Sequence, residues 1–270
     1  MPELIEIEAY RRLAEARALE RRIVEVLAPD AWWLKGGLTA GALSDALVGR
    51  SFTAARRTGK RLLLETSDDG PVLGLRFGMT GRLVVDGAAG VDELIYSPDR
   101  GTPPAPGNRE MSAWDRLVTV FEDKGALAVR DPRRLGGAEL EPDEARLGPD
   151  AAALTPAVLA RVLSTSRAPL KARLMDQGRV AGLGNLLVDE ILYRAGLDPA
   201  RPAGSLDPAE IRRLAGWIRR TLDRLLGLGS HAGELGPARR PGGVCPKDGT
   251  PLVRRTIGGR TTWSCPAHQT

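Results

Sequence analysis

Gln177-Gly178-Arg179-Val180-Ala181-Gly182-Leu183-Gly184-Asn185 is the stretch on which the fold reading turns. Glycines at 182 and 184 let the backbone approach a ligand closely, and the amides opening a following helix point toward an anion. The stretch separates two segments, 168–177 and 185–195, whose apolar residues recur three and four apart. It reads either as a helix–turn–helix that holds a phosphate or as a plain interhelical turn. Segments 155–164 and 207–228 extend the helical region. Asp207-Pro208 opens the last one as N-cap and first-turn proline, and Gly227 with Gly229 closes it.

Toward the N-terminus the texture changes. Residues 23–140 alternate short apolar runs with Gly, Asp and Pro, as in Arg61–Thr66, Pro71–Leu75, Arg82–Val85, Leu117–Phe121 and Ala126–Val129. That pattern predicts a sandwich or barrel-like sheet. A helix is expected over 3–22, with Ile7, Tyr10, Leu13 and Ala14 on one stripe, and a Pro/Gly-rich loop over 99–109. After Gly136 the periodicity turns helical. Toward the C-terminus, 230–243 is rich in Gly, Pro and Arg and reads as mobile, while 244–270 is too poor in apolar residues to build a core.

At 270 residues and 42% hydrophobic content the chain can bury a real core, in two compact units. No run of about 20 uncharged apolar residues is present, and Glu3, Glu6 and Glu8 interrupt any leader-like run, so a soluble cytoplasmic protein is expected. Residues 201–270 carry twelve Arg or Lys against five Asp or Glu, a balance of +7; with a total of +5, the first 200 residues carry −2. A basic C-terminal third suggests a polyanion-binding face, nucleic acid above all, or simply a solvated arginine-rich surface.

Two features carry chemistry. Met1-Pro2 starts lose their methionine readily, which leaves Pro2 a secondary amine with an ordinary pKa of ~7.7–8.0. Such an amine can attack an aldose carbon to give an iminium, with Glu3 as general acid and base beside it. Read alone, the same residues also make an ordinary helix start. Cys245-Pro-Lys-Asp248 and Cys265-Pro-Ala-His268, sixteen residues apart, have the paired spacing of a zinc ribbon with Asp and His at two positions. Between them two strands joined at Gly258-Gly259 form a hairpin, which could also fold without metal. Two cysteines are too few for a disulfide framework.

In this order along the chain, the motifs resemble the formamidopyrimidine-DNA glycosylase and endonuclease VIII family of bifunctional base-excision enzymes. The resemblance implies an α+β fold. An N-terminal helix and β-sandwich catalytic domain spans 1–140, a helix–two-turn–helix DNA-binding domain 141–230, and a zinc-finger-like hairpin 240–270. It implies Pro2 as nucleophile, Glu3 as proton shuttle and Glu6 as a supporting carboxylate. Arg57-Thr58-Gly59-Lys60-Arg61 gives Lys60 a phosphate at the lesion, and Gly78-Met79-Thr80-Gly81-Arg82-Leu83 gives Met79 the space of the flipped nucleotide. Asp131-Pro132-Arg133-Arg134-Leu135-Gly136 supplies further intercalating side chains, from Arg133, Arg134 and Leu135. Lys171, Asn185 and Arg260 hold phosphates, and Cys245, Asp248, Cys265 and His268 hold a structural zinc.

The implied partner is double-stranded DNA with damaged bases or abasic sites, bound by a monomer, with no redox cofactor and no membrane. The chain departs from the family at several points: Leu135 replaces a wedge phenylalanine, Arg76 a histidine, and Asp248 and His268 two zinc cysteines. The stretch Gly229–Gly243 is much shorter than the lesion-capping region of members that cleave 8-oxoguanine, and lacks its aromatic residues. A catalytically idle relative and a specialist for bulky lesions therefore stay open beside an active glycosylase and lyase.

Overall fold

The structure, a computed structural model, describes residues 2–89 and 112–270. The loop expected at 99–109 lies outside the described residues. The chain divides into two compact units, one holding Pro2 and Glu6–Glu144, the other Glu3–Ile5 and Ala145–Thr270.

The first unit is built on two antiparallel sheets. One has the order β1 (Ile23–Leu27), β7 (Asp115–Phe121), β8 (Ala126–Arg130), β5 (Arg82–Val85), β6 (Ala88–Ala89); the other runs β2 (Phe52–Thr58), β3 (Arg61–Thr66), β4 (Leu73–Arg76), β9 (Gly137–Leu140). Alternation places Leu62 and Leu64 of β3, Leu73 and Leu75 of β4, and Leu127 and Val129 of β8 in one core with Phe52, Phe77 and Phe121. Helix α1 (Leu4–Arg17) adds Ile7, Tyr10 and Ala14 to it.

Three sequence expectations need correction here. The first helix stops at Arg17 rather than running to 22: Leu19 bridges Phe52, Arg22 bridges Ser51, and Glu20 takes φ +58° between them. Every residue over 17–22 is a good helix former, so sheet pairing overrides propensity. Helix α2 (Ala40–Leu47) interrupts the strand texture, capped by Thr39, whose hydroxyl accepts from the Ala42 amide. The change of periodicity also falls a little later than Gly136, because β9 follows it.

The second unit contains α3 (Pro156–Leu163), α4 (Leu170–Met175), α5 (Asn185–Ala195) and α6 (Pro208–Leu225), with β10 (Val253–Ile257) and β11 (Arg260–Ser264) pairing as a hairpin. Leu4 and Ile5 are buried in its core beside Leu183, Leu187 and Ile191. Asp207 accepts from the amides of Ala209 and Glu210 while Glu210 accepts from the Asp207 amide, a capping box that starts α6. The segment expected to be mobile, 230–243, instead contains two 3-10 turns, Ser230–Ala232 and Gly236–Ala238. Buried Leu235 and the Glu190 carboxylate, which accepts from the amides of Glu234 (3.0 Å) and Leu235 (2.8 Å), fasten it to α5. Glu190 lies 44 positions before Glu234, so this anchor is not local in sequence.

Among the described residues no helix is long and apolar enough to cross a membrane.

Candidate functional site

In the second unit the opening of α5 carries the clearest geometry. The Glu3 carboxylate, without exposed surface, accepts from the amides of Gly184 (2.8 Å), Leu186 (2.9 Å) and Leu187 (3.2 Å). A helix N-terminus leaves such amides unpaired and favours negative charge, so Glu3 is the anion that this turn holds. Gly184 allows it: a Cβ there would lie 2.3 Å from Glu3 Cδ. Gly182, at φ +105°, is needed for conformation and space alike, since a Cβ would meet Leu4 Cδ1 at 2.6 Å. Gln177 closes the turn, with Oε1 accepting from the Gly182 amide and Nε2 donating to the carbonyls of Met175 and Leu183. Asn185 is half-buried at the first position of α5, and its Oδ1 has no hydrogen-bond partner.

Lys171 behaves unlike a phosphate contact. Its ammonium is fully buried and donates to Asp189 Oδ1 (2.7 Å), Thr262 Oγ1 (2.8 Å) and the Thr261 carbonyl (3.1 Å). An ammonium has three donors, so none is left for DNA. Nothing local around Lys171 signals this, because Asp189 and Thr262 lie 18 and 91 positions further along the chain. Arg260 is exposed at the hairpin tip, after Gly258 and Gly259 at φ +57° and +71°.

In the first unit Pro2 and Glu6 are buried at the start of the chain. Half-buried Lys60 follows Gly59 (φ +58°) in the turn between β2 and β3, and Arg76 ends β4 beside Glu139. The loops of Met79 and Leu135 are knit together by buried Asp131, which accepts from Thr80 Oγ1 (2.7 Å), the Gly136 amide (2.7 Å) and Trp33 Nε1 (3.2 Å). Gly78 admits the second loop, since a Cβ would lie 2.4 Å from the Leu135 carbonyl carbon. Met79 and Leu135, on these two joined loops, remain 41% and 46% exposed. Arg133 is exposed, whereas the Arg134 guanidinium forks onto Asp30 at 2.6 and 2.7 Å and holds that carboxyl below the usual carboxylate range. Trp32, 60% exposed, lies under Lys35 and Arg134, with the cations 4.1 and 5.1 Å from its ring centre. Sequence reading passed over Trp32, although an aromatic followed by a lysine three positions on was visible.

At the base of the hairpin Cys245, Asp248, Cys265 and His268 bring one ligand atom each within 4.8 Å of one another. Cys265 Sγ lies 3.4 Å from Asp248 Oδ2, Cys245 Sγ 3.5 Å from His268 Nδ1, and His268 Nδ1 3.4 Å from Asp248 Oδ2. His268 Nε2 lies 3.1 Å from the Tyr193 carbonyl; donating there fixes the tautomer that leaves Nδ1 as a lone pair for the cluster. Asp248 Oδ1 accepts from the Thr250 amide (2.8 Å), which holds its carboxyl well below the usual range, and burial pushes the Cys265 thiol up. The cluster can hold one metal ion.

The family model for the formamidopyrimidine-DNA glycosylase N-terminal domain matches residues 1–138, and that for the formamidopyrimidine-DNA glycosylase H2TH domain matches 147–233. A formamidopyrimidine-DNA glycosylase of Paracoccus denitrificans is 34% identical over the whole of both chains. One of Symbiobacterium thermophilum is 36% identical over all of this chain and 89% of its own. The Lactococcus lactis Fpg, solved in complex with DNA containing an abasic site, matches the fold over both full chains with TM-score 0.83 at 24% identity. The class is that of DNA repair glycosylases that also act as lyases on abasic sites. The chain belongs to the formamidopyrimidine-DNA glycosylase family.

Proposed function

We propose that this chain excises damaged, chiefly oxidised, bases from double-stranded DNA with Pro2 as nucleophile and Glu3 as proton shuttle, and then cleaves the abasic site by β,δ-elimination. The observation that carries this reading is the Glu3 carboxylate, held immobile by three backbone amides one residue after Pro2. Base removal needs the nucleotide out of the stack, at a cost of a few kcal/mol. Met79, Leu135 and Arg133 fill the vacated space. Lys60, Arg76, Asn185 and Arg260 hold phosphates, which position the duplex and carry little sequence information. Arg134 braces the wedge loop through Asp30, and Glu6 supports the catalytic end.

The Pro2 nitrogen attacks C1′ and passes its proton to the Glu3 carboxylate. The bond from C1′ to the base breaks, with the base taking a proton from water, and Glu3 returns its proton to the sugar ring oxygen as the ring opens to an iminium. The iminium acidifies C2′–H; loss of that proton expels the 3′ phosphate, and a second elimination expels the 5′ phosphate. Residues 1–140 form the catalytic domain of this reading, 141–230 the DNA-binding domain and 240–270 the hairpin. The enzyme acts as a monomer on the nucleoid in the cytoplasm.

The metal of this reading is a structural zinc. Zn–S bonds of ~2.3 Å and Zn–N or Zn–O bonds of ~2.0–2.1 Å imply tetrahedral edges of roughly 3.3–3.8 Å. Three of the cluster's separations, at 3.4–3.5 Å, fall in that range, and all four ligand atoms lie within 4.8 Å of one another. Cys245, Asp248, Cys265 and His268 hold it, and it shapes the hairpin without entering the reaction.

Borohydride trapping on a duplex with an abasic site tests the nucleophile. A covalent adduct is expected from the native N-terminus, and a short N-terminal extension should abolish it. Equal trapping by the extended protein would move the nucleophile to a lysine.

A further inference from the structure

The interior of the second unit contains a charge cluster that bears on the hairpin. Lys171 on α4 and Asp189 on α5 are both fully buried and paired at 2.7 Å. Burial draws the lysine below its ordinary range and lifts the aspartate above its own. The second Asp189 oxygen accepts from Arg239 Nη2 at 2.7 Å and lies 3.5 Å from the Trp263 amide. The remaining Lys171 donors reach the Thr261 carbonyl and Thr262 Oγ1, and the Thr262 hydroxyl donates onward to the Arg260 carbonyl at 3.1 Å. Beside this chain the hairpin tip rests on α4: a Cβ at Gly258 would lie 2.9 Å from Ala172 Cβ.

Four segments thus meet at one buried carboxylate: α4, α5, the short stretch before the hairpin, and β11. A buried ion pair is seldom better for net stability than apolar residues of similar volume. What it supplies is direction, because each hydrogen bond has a fixed geometry. We infer that Lys171, Asp189 and Arg239 are positioning residues that fix the backbone of Arg260 through Thr262, so that Lys171 acts on DNA through Arg260 rather than by meeting a phosphate. This rests on the reading of Arg260 as a phosphate contact.

The test is a double-variant cycle read by binding of a duplex with a stable abasic-site analogue at several salt concentrations. Arg260→Gln should weaken binding roughly fivefold to tenfold and lower the salt slope by about one. Thr262→Val, which removes only the relay hydroxyl, should reproduce most of both effects, and Thr262→Ser should retain native binding. In the Arg260→Gln background Thr262→Val should cost less than twofold. An equal loss in both backgrounds, or a lowered melting temperature with an unchanged salt slope, overturns the inference. A silent Arg260→Gln sinks the phosphate reading itself, and with it the inference. If Thr262→Val does not fold, Arg239→Gln, at the rim of the cluster, takes its place in the same cycle with the same expected outcomes.

Discussion

The Glu3 carboxylate sits where a side chain on Gly184 would be. With only 2.3 Å between Glu3 Cδ and an ideal Cβ on Gly184, and with the Gly184 amide donating at 2.8 Å, the third residue of the chain caps a helix that begins at residue 185. Gly184 has φ −127°, an ordinary extended value, so the glycine is required by space and not by backbone conformation. The amides that the sequence offered to a phosphate are occupied by the chain's own carboxylate. That ties the position of a proposed proton shuttle to the rigidity of α5.

Gly184→Ala is therefore expected to expel the carboxylate while leaving α5 able to form. Loss of a placed general acid typically costs 10²–10⁴-fold. We expect the single-turnover rate of base excision to fall at least about 100-fold, with binding to an abasic-site duplex within a few-fold of native. Native excision by the alanine variant would remove Glu3 from the reaction.

The fastening of 230–243 bears on lesion choice. Glu190 and buried Leu235 fix this short stretch against α5, so it is not a long loop available to close over a base. Ring-opened purines or oxidised pyrimidines should be excised faster than 8-oxoguanine opposite cytosine. Single-turnover rates on matched duplexes decide this, and a preference for 8-oxoguanine would mean that another loop supplies the cap.

Strands at 61–66 and 82–85, the helix at 185–195 and the Gly258-Gly259 turn were legible because their signals are local: alternation, an apolar stripe, a pair of glycines. The start of α6 was legible because Asp207 and Pro208, adjacent in sequence, specify it. The motifs of the candidate site could be read in order, but their internal partners could not. Saturation of Lys171 depends on residues 18 and 91 positions away, and capture of Arg134 depends on Asp30, 104 positions away. Pairings of that span leave no periodic trace. The end of α1 was misread for the same reason, since a bridge to Phe52 decides it.

Asp30 and Arg134 give the wedge loop a pH dependence. Arg134 lowers the Asp30 carboxyl below its unfolded value, so the ion pair contributes above about pH 3.9 and is lost as pH falls through the lower folded value. At neutral pH the brace is complete. Trp32 lies under Arg134 and reports on it. Its emission, taken as the difference from a Trp32→Phe protein, should stay constant from pH 7 to about 4 and change below that. Asp30→Asn should show the released signal at pH 7. A transition nearer neutrality, or an Asp30→Asn protein indistinguishable from native, would mean that Asp30 does not hold the loop.

The hairpin should contain one zinc per chain. Residues 244–270 include few large apolar groups, and units of that size usually need a metal or a disulfide. The two cysteines are free, and Cys265 Sγ faces Asp248 while Cys245 Sγ faces His268. Around them the Tyr193 carbonyl orients the imidazole and the Thr250 amide orients the carboxylate, the kind of outer support that metal ligands need. A carboxylate suits zinc less well than a thiolate, so a chelator should strip this site more readily than a four-cysteine one. Asp248→Cys should slow that release on the order of tenfold, and His268→Ala should abolish retention. Removing the metal frees the hairpin that carries Arg260 and leaves Pro2 chemically unchanged. DNA affinity should therefore fall while borohydride trapping at saturating DNA persists. Metal analysis alongside a binding titration checks both halves, and substoichiometric zinc with affinity indifferent to chelator would show that strand pairing alone folds the hairpin.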